Sequence, residues 1–194
     1  MQHVFIIGSK GIPGAYGGYE TFVDKLTEYH QNCSELKYHV ACKGTENKVE
    51  EYHNARCFNV KVPNIGPAQA IYYDVAALSK CCRYIKKYKI KNPIVYILAC
   101  RIGPFAAHFQ RKIHNLGGVV YVNPDGHEWK RAKWSSLVRK YWKYSEKKMV
   151  KYGLRKSQSP MVLFIRKGYT LETMTRLRMK SQRRKEKRAT NVAL

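Results

Sequence analysis

Two short stretches hold the residues whose types could do chemistry. The first, "GSKGIPGAYGGYE" at residues 8–20, follows the apolar run "HVFII" and places Gly17 and Gly18 where a helical pattern begins. The amino end of a helix carries unpaired N–H groups and the positive end of the dipole, so glycines there let an anion touch the backbone. They can equally do no more than make the turn. The second stretch, "NPDGHEW", groups Asp125, His127 and Glu128 at the end of another apolar run. It reads either as a polar cluster facing a ligand or as a cap in which Asn123 or Asp125 ties off a strand and His127 is merely exposed.

Spacing excludes several familiar chemistries. A phosphate-cradling P-loop needs Gly-Lys-Ser or Gly-Lys-Thr at the helix start, where this chain has "GGYET". A dinucleotide fingerprint needs Gly-x-Gly-x-x-Gly and an acid about 20 residues on. Here Gly8, Gly11 and Gly14 recur every third residue, and the next strand ends in Cys42 and Lys43. His127 and Glu128 do not extend to His-Glu-x-x-His, because Arg131 takes the last place, and the aspartates at 24, 74 and 125 form no Asp-x-Asp. No metal site and no cofactor are expected from these spacings.

The elements that must hold these clusters alternate along the chain. "HVFIIG", "KYHVACKG", "CFNVKVP", "NPIVYILA" and "GGVVYV" read as five strands. Between them, "YETFVDKLTEYHQ" puts Phe22, Val23, Leu26 and Tyr29 on one helical face, and a helix over about 68–88 aligns Ile71, Val75, Leu78, Cys82 and Ile85. A third helix is expected over about 103–115. A fourth, over about 129–152, carries a stripe of Trp134, Leu137, Val138, Tyr141, Ser145, Met149 and Tyr152. Strands alternating with such helices predict an α/β fold, a Rossmann-like, mostly parallel sheet with helices on both faces, whose ligands gather at the carboxyl ends of the strands. Both polar clusters fall at such ends.

At 194 residues and 22.6 kDa the chain can bury one core. Its 37 Lys and Arg against 13 Asp and Glu give +24, a balance that attracts phosphates on nucleic acid, anionic membrane or nucleotide alike. Six cysteines without Cys-x-x-Cys spacing read as buried reduced thiols of a cytoplasmic protein. No run reaches the roughly 18 apolar residues of a spanning helix, so membrane contact is expected to be peripheral. Residues 151–194 hold 13 Lys and Arg but only Glu172 and Glu186 as acids, and read as a basic tail after a folded domain at 1–150.

"GSKGIPGAYGGYETFV", "YILACRIGPF" and "VVYVNPDGHEWKRAKWS", in this order, resemble the DUF1972-like amino-terminal domain of bacterial rhamnosyltransferases of the retaining glycosyltransferase family 4. The resemblance implies the amino-terminal half of a GT-B fold, in which two Rossmann-like domains face each other across a cleft. It implies rhamnosyl transfer, with dTDP-L-rhamnose as donor and a lipid-linked saccharide of capsule or cell-wall synthesis as acceptor, without an essential metal. Carried over by position, Gly17 and Gly18 match the loop beside donor pyrophosphate and acceptor, and Glu20, expected with His127 to be catalytic, matches the acid that follows. His127 matches the histidine that reaches the transferred sugar, with Asp125 and Gly126 shaping its loop.

The likeness is expected to end near residue 150, without room for a second domain. The tail is therefore expected to be a frameshift or truncation product, and the chain to be impaired or inactive in transfer by itself. Trp129, Lys130, Arg131 and Lys133, with Trp134, Trp142 and the lysines beyond, suit the helix over 129–152 to an anionic membrane surface at the inner face of the cell membrane. The alternatives are a noncatalytic partner that needs a separately encoded second domain and a basic nucleic-acid-binding protein; the latter is disfavoured because no reader motif accompanies the charge.

Overall fold

In a computed structural model, which describes residues 1–14, 17–46, 48–123, 125–132 and 134–153, the expected alternation is present. The strands are β1 (Gln2–Ile7), β2 (Leu36–Gly44), β3 (Val49–Tyr52), β4 (Ala55–Lys61), β5 (Ile94–Ile97) and β6 (Val119–Val122). The helices are α1 (Gly18–Tyr29), α2 (Gln69–Lys87), α3 (Ala106–Asn115) and α4 (Ser136–Gly153), with 3-10 turns at Gly66–Ala68, Gly103–Phe105 and Asp125–Lys130. Of the basic tail expected over 151–194, residues 151–153 form the end of α4; the remainder, like Lys133, lies outside the described residues.

The sheet order is β3-β4-β2-β1-β5-β6. All pairings are parallel except β3 with β4. Without β3, the parallel strands run third, second, first, fourth and fifth in chain order, the arrangement of a Rossmann-like sheet. β3 was not expected from the sequence. It serves as the crossover that a helix usually makes: the chain leaves β2, runs down the outer edge as β3, turns at His53 and Asn54, and returns as β4. Both turn residues have positive φ, 48° and 54°, the sign that matches a tight hairpin to strand twist.

Alternation assigns the two faces. Phe5, Ile7, Ala41, Phe58, Val60, Val95 and Ile97 point into one core, filled from α2 by Tyr73, Ala77, Leu78, Cys81, Cys82 and Ile85, from α3 by Phe109 and Ile113, and from α4 by Met149. Each fully buried aliphatic side chain there contributes about 1.5–3 kcal/mol relative to exposure. α1 lies on the other face, where Tyr38 Oη meets His30 Nδ1 at 3.1 Å.

Three expectations change. On α1 only Val23 and Leu26 are buried, joined by Glu20 and Thr27; Phe22 and Tyr29 point to solvent. On α4, Leu137 is exposed and Trp142 takes a buried place beside Ser145 and Met149. That helix begins at Ser136 rather than Trp129, because residues 125–130 form the tighter turn and Arg139 N–H bonds back to the Ser135 carbonyl at 2.9 Å. All six cysteines are free thiols; Cys42, Cys57, Cys81 and Cys82 are buried as expected, whereas Cys33 and Cys100 are only half-buried.

Candidate functional site

Chain order reverses between β1 and β5, so the loops leaving their carboxyl ends diverge and leave a crevice between them. The loop after β1 is fixed at successive backbone atoms. Tyr73 Oη donates to the Ser9 carbonyl at 2.8 Å, Lys43 N–H to the Lys10 carbonyl at 2.8 Å, and Gly14 N–H to Asp24 Oδ2 at 3.1 Å. Glu20 reaches back from the first turn of α1 to accept Lys10 N–H at 2.7 Å. Its carboxylate also lies against Gly17, where a Cβ would collide with Oε2, and Gly17 adopts φ +122°. Glycine is required at that position by both conformation and space.

Gly18 differs. It begins α1 in open space, with nothing within 4 Å of the position a Cβ would take. Gly17 offers no side chain to cap the helix, so the dipole end is not covered by a capping oxygen.

Beneath the loop, Arg101 from the β5–α3 connection donates to the Gly8 carbonyl at 3.3 Å and to Asp74 Oδ2 at 3.5 Å. Asp74 is fully buried on α2, and burial pushes its carboxyl up to about 6 against the opposing pull of the Arg101 guanidinium. Ser9 Oγ and Asp74 Oδ1 are buried polar atoms without a protein partner. Neither Arg101 nor Asp74 was singled out from the sequence, although an aspartate among the core positions Tyr73, Ala77 and Leu78 was a legible oddity.

The second cluster stands after β6. His127 has φ +41° in the 3-10 turn that also contains Asp125 and Gly126, and its side chain is 55% exposed. Its Nδ1 lies 3.1 Å from Glu146 Oε1, while Trp129 Nε1–H donates to Glu146 Oε2 at 3.1 Å. A carboxylate accepting from Nδ1 favours the tautomer whose Nε2 lone pair faces outward. Lys130 and Lys143 sit 5.3 and 5.1 Å from the Trp129 ring centre. Glu128 is turned away, holding Trp134 Nε1 at 3.0 Å and Arg131 Nε at 2.9 Å. Glu146 was missed because it lies among the lysines of α4 and reads as a solvated charge.

α4 joins the two clusters. Ser145 Oγ accepts Gly103 N–H at 2.7 Å and donates to the Cys100 carbonyl at 2.8 Å, and Tyr141 Oη donates to the Arg101 carbonyl at 2.8 Å. Gly17 and Glu20 are in contact, and His127 and Trp129 meet through Glu146. No hydrogen bond or ion pair links Glu20 to His127; their connection runs through α4, Arg101 and the glycine loop. Among the described residues, no group of three or more His, Cys, Asp or Glu could hold a metal ion, and no helix is long and apolar enough to cross a membrane.

No curated protein matches the chain. A family described as a domain of unknown function, DUF1972, matches residues 1–175, so the family likeness does not end near residue 150, as expected from the sequence, but runs past the end of α4. With its Rossmann-like sheet and a family match over most of its length, the chain belongs to the DUF1972 family.

Proposed function

We propose that this chain forms the amino-terminal wall of a GT-B glycosyltransferase cleft that transfers rhamnose from dTDP-L-rhamnose to a lipid-linked saccharide. The observation that carries the reading is the Glu146–His127 pair at the carboxyl edge of the sheet, in hydrogen-bonded continuity with the glycine loop. In such a transfer the bond from the sugar's anomeric carbon to the diphosphate oxygen breaks, an acceptor hydroxyl oxygen takes its place, and the hydroxyl proton leaves with the phosphate. His127 is assigned a hydrogen bond to the transferred sugar through Nε2, with Glu146 holding the ring in place; its value lies in placement more than in basicity. Gly18, with open space before it, is assigned to close approach of the ligand, and Glu20 to shaping the loop. Asp125 and Gly126 are assigned to the turn that presents His127.

A single wall gives weak binding, so the test must detect it. Saturation-transfer NMR with millimolar dTDP-L-rhamnose is expected to show transfer to the sugar protons, reduced severalfold in His127→Ala. Absence of transfer to the folded protein, or an unchanged signal in the variant, would overturn the assignment. For the membrane side, Leu137, Lys140, Tyr144 and Lys147 share one exposed face of α4, with Trp129, Lys130 and Arg131 preceding it. This face is assigned to anionic lipid, each cation contributing about 1 kcal/mol near the surface. Sedimentation with phosphatidylglycerol vesicles is expected to be lost in Lys140→Glu/Lys147→Glu, and retained binding would remove α4 from the membrane.

A further inference from the structure

Away from the carboxyl-edge crevice, a cavity of about 520 Å³ opens between α2 and the β3–β4 edge of the sheet. Two periodicities build it. On α2, Lys80, Arg83, Tyr84 and Lys87 recur at helical spacing beside the buried stripe of Leu78, Cys81, Cys82 and Ile85. On β4, Arg56 and Phe58 alternate onto the side facing α2, and Val49 of β3 stands opposite Phe58 in the antiparallel register. Phe58 and Cys81, both buried, supply an apolar floor.

The walls are cationic. Lys48, Arg56, Lys80, Arg83 and Lys87 all line the cavity, and among the described residues no carboxylate does. Of these cations, Lys48 is offset by Glu50 at 2.6 Å, while Glu51 is turned to Lys37, outside the cavity, at 3.3 Å; Arg56, Lys80, Arg83 and Lys87 carry the wall's charge. Arg56 is held flat, its guanidinium carbon 4.0 Å from the Tyr84 ring centre and 5.3 Å from that of Phe58, which fixes the planar fork in place. Lys80 donates to the Asn59 carbonyl at 2.7 Å and so keeps its ammonium at the cavity. Its pKa is lowered by partial burial and by the charges of Arg83 and Arg56, the mark of cations that repel one another. A multiply charged anion relieves that repulsion, and the cavity is roomier than a phosphate requires.

We propose that this cavity is a phosphoryl-binding site. It takes a ligand whose phosphate or diphosphate oxygens are held by Arg56, Lys80 and Arg83, while the attached organic part rests on Phe58 and Tyr84. The site is separate from the glycine-loop crevice and stands whether or not that crevice binds a nucleotide sugar. The phosphoryl group can belong to a soluble ligand or to a lipid headgroup, and the two sources are separated by the probe.

The test compares the intact chain with Arg83→Glu/Lys87→Glu, at exposed positions on the cavity rim, and with Arg111→Glu/Lys112→Glu, an equal charge change on exposed positions of α3. Inorganic pyrophosphate is titrated by calorimetry, with amide shifts followed by NMR, and phosphatidylglycerol vesicles are sedimented in parallel. The expected result is pyrophosphate binding with shifts centred on Val49, Phe58 and Tyr84, weakened tenfold or more in the α2 pair and little changed in the α3 pair. Vesicle binding lost only in the α2 pair, without pyrophosphate binding, would assign the site to a lipid phosphate. Equal weakening in both pairs, or neither probe responding to the α2 pair, would overturn the proposal.

Discussion

Replacing Ser145 by alanine tests whether α4 is bolted to the sheet as the geometry requires. Ser145 is fully buried, and its hydroxyl accepts Gly103 N–H at 2.7 Å and donates to the Cys100 carbonyl at 2.8 Å. Ser145→Ala removes one oxygen, leaving the buried Gly103 N–H without its acceptor and taking one bond from the half-buried Cys100 carbonyl. An orphaned buried group costs about 1–3 kcal/mol, and with Cys100 only half-buried the pair sums to about 2–4 kcal/mol. The helix cannot move closer to compensate, because a Cβ on Gly103 would already collide with Ser145 Cα. One missing oxygen also leaves too little room for a water. With a urea slope of about 2 kcal/mol per molar, the unfolding midpoint should fall by roughly 1–2 M, followed by circular dichroism. Ser79→Ala is the comparison: its hydroxyl bonds only to the Val75 carbonyl one turn back on α2, and its loss should cost less than about 0.5 kcal/mol. If Ser145→Ala costs less than about 1 kcal/mol, α4 is held by packing alone, and the hydrogen-bonded route from His127 to the glycine loop fails with it.

Gly17→Ala places a side chain at φ +122° and against the Glu20 carboxylate, so it should cost about 1–3 kcal/mol in urea unfolding, whereas Gly18→Ala in open space should be neutral or slightly stabilising; equal effects would contradict the loop geometry. His39, buried beside His3 and stacked on Phe5 at 4.3 Å, has its pKa lowered to about 3, chiefly by burial and then by the charges of His3, Arg56 and Lys37. Below pH 6.5 the unfolded chain takes up a proton there that the folded chain refuses, so this group removes up to about 1.4 kcal/mol of stability per pH unit down to about 3. Asp74, raised from 3.8 to about 6, has the opposite sign: its contribution is fully present below 3.8 and is lost as pH rises through about 6. The two slopes offset one another between about pH 4 and 6, so Asp74→Asn should expose the His39 slope in urea unfolding across that window, and an unchanged pH profile would refute the pairing.

Most of the sheet was legible because its central strands are apolar runs bounded by glycine, proline or asparagine, a pattern that a strand buried on both faces produces by itself. β3 was not, because Val49-Glu-Glu-Tyr is short and largely exposed, and it is a strand only through its pairing with β4. The start of α4 was misplaced for a related reason. Trp129 and Trp134 continue the apolar spacing of the helix backward, but they pack through indole hydrogen bonds to Glu146 and Glu128 rather than as one helical stripe. The pair Ser135 and Ser136, where the first helical bond begins, was the available signal. On α1, Phe22 and Tyr29 were assigned inward by hydrophobicity. The buried face instead runs through Glu20, Val23 and Thr27, since Glu20 must reach the backbone of Lys10.

The site was half legible for a reason that α4 makes plain. A glycine needed for positive φ beside a helix start leaves a mark in the sequence, and so does a histidine at the end of an apolar run. Glu146 leaves none: its partner His127 is 19 residues away and is brought to it only by the turn at Asp125–Lys130. Its neighbour Ser145 is invisible in the same way, because its partners at Cys100 and Gly103 come from the β5–α3 connection. Consecutive helix residues point about 100° apart. One face of a single turn of α4 is therefore fixed to the loop that carries Arg101, and the next face over is aimed at His127. Because these two residues are rigidly related through the helix, the rotation that satisfies Gly103 and Cys100 also sets where the Glu146 carboxylate stands. The position of His127 beside Glu146 thus depends on a serine that does not touch the histidine, which is why residue type and spacing alone did not expose it.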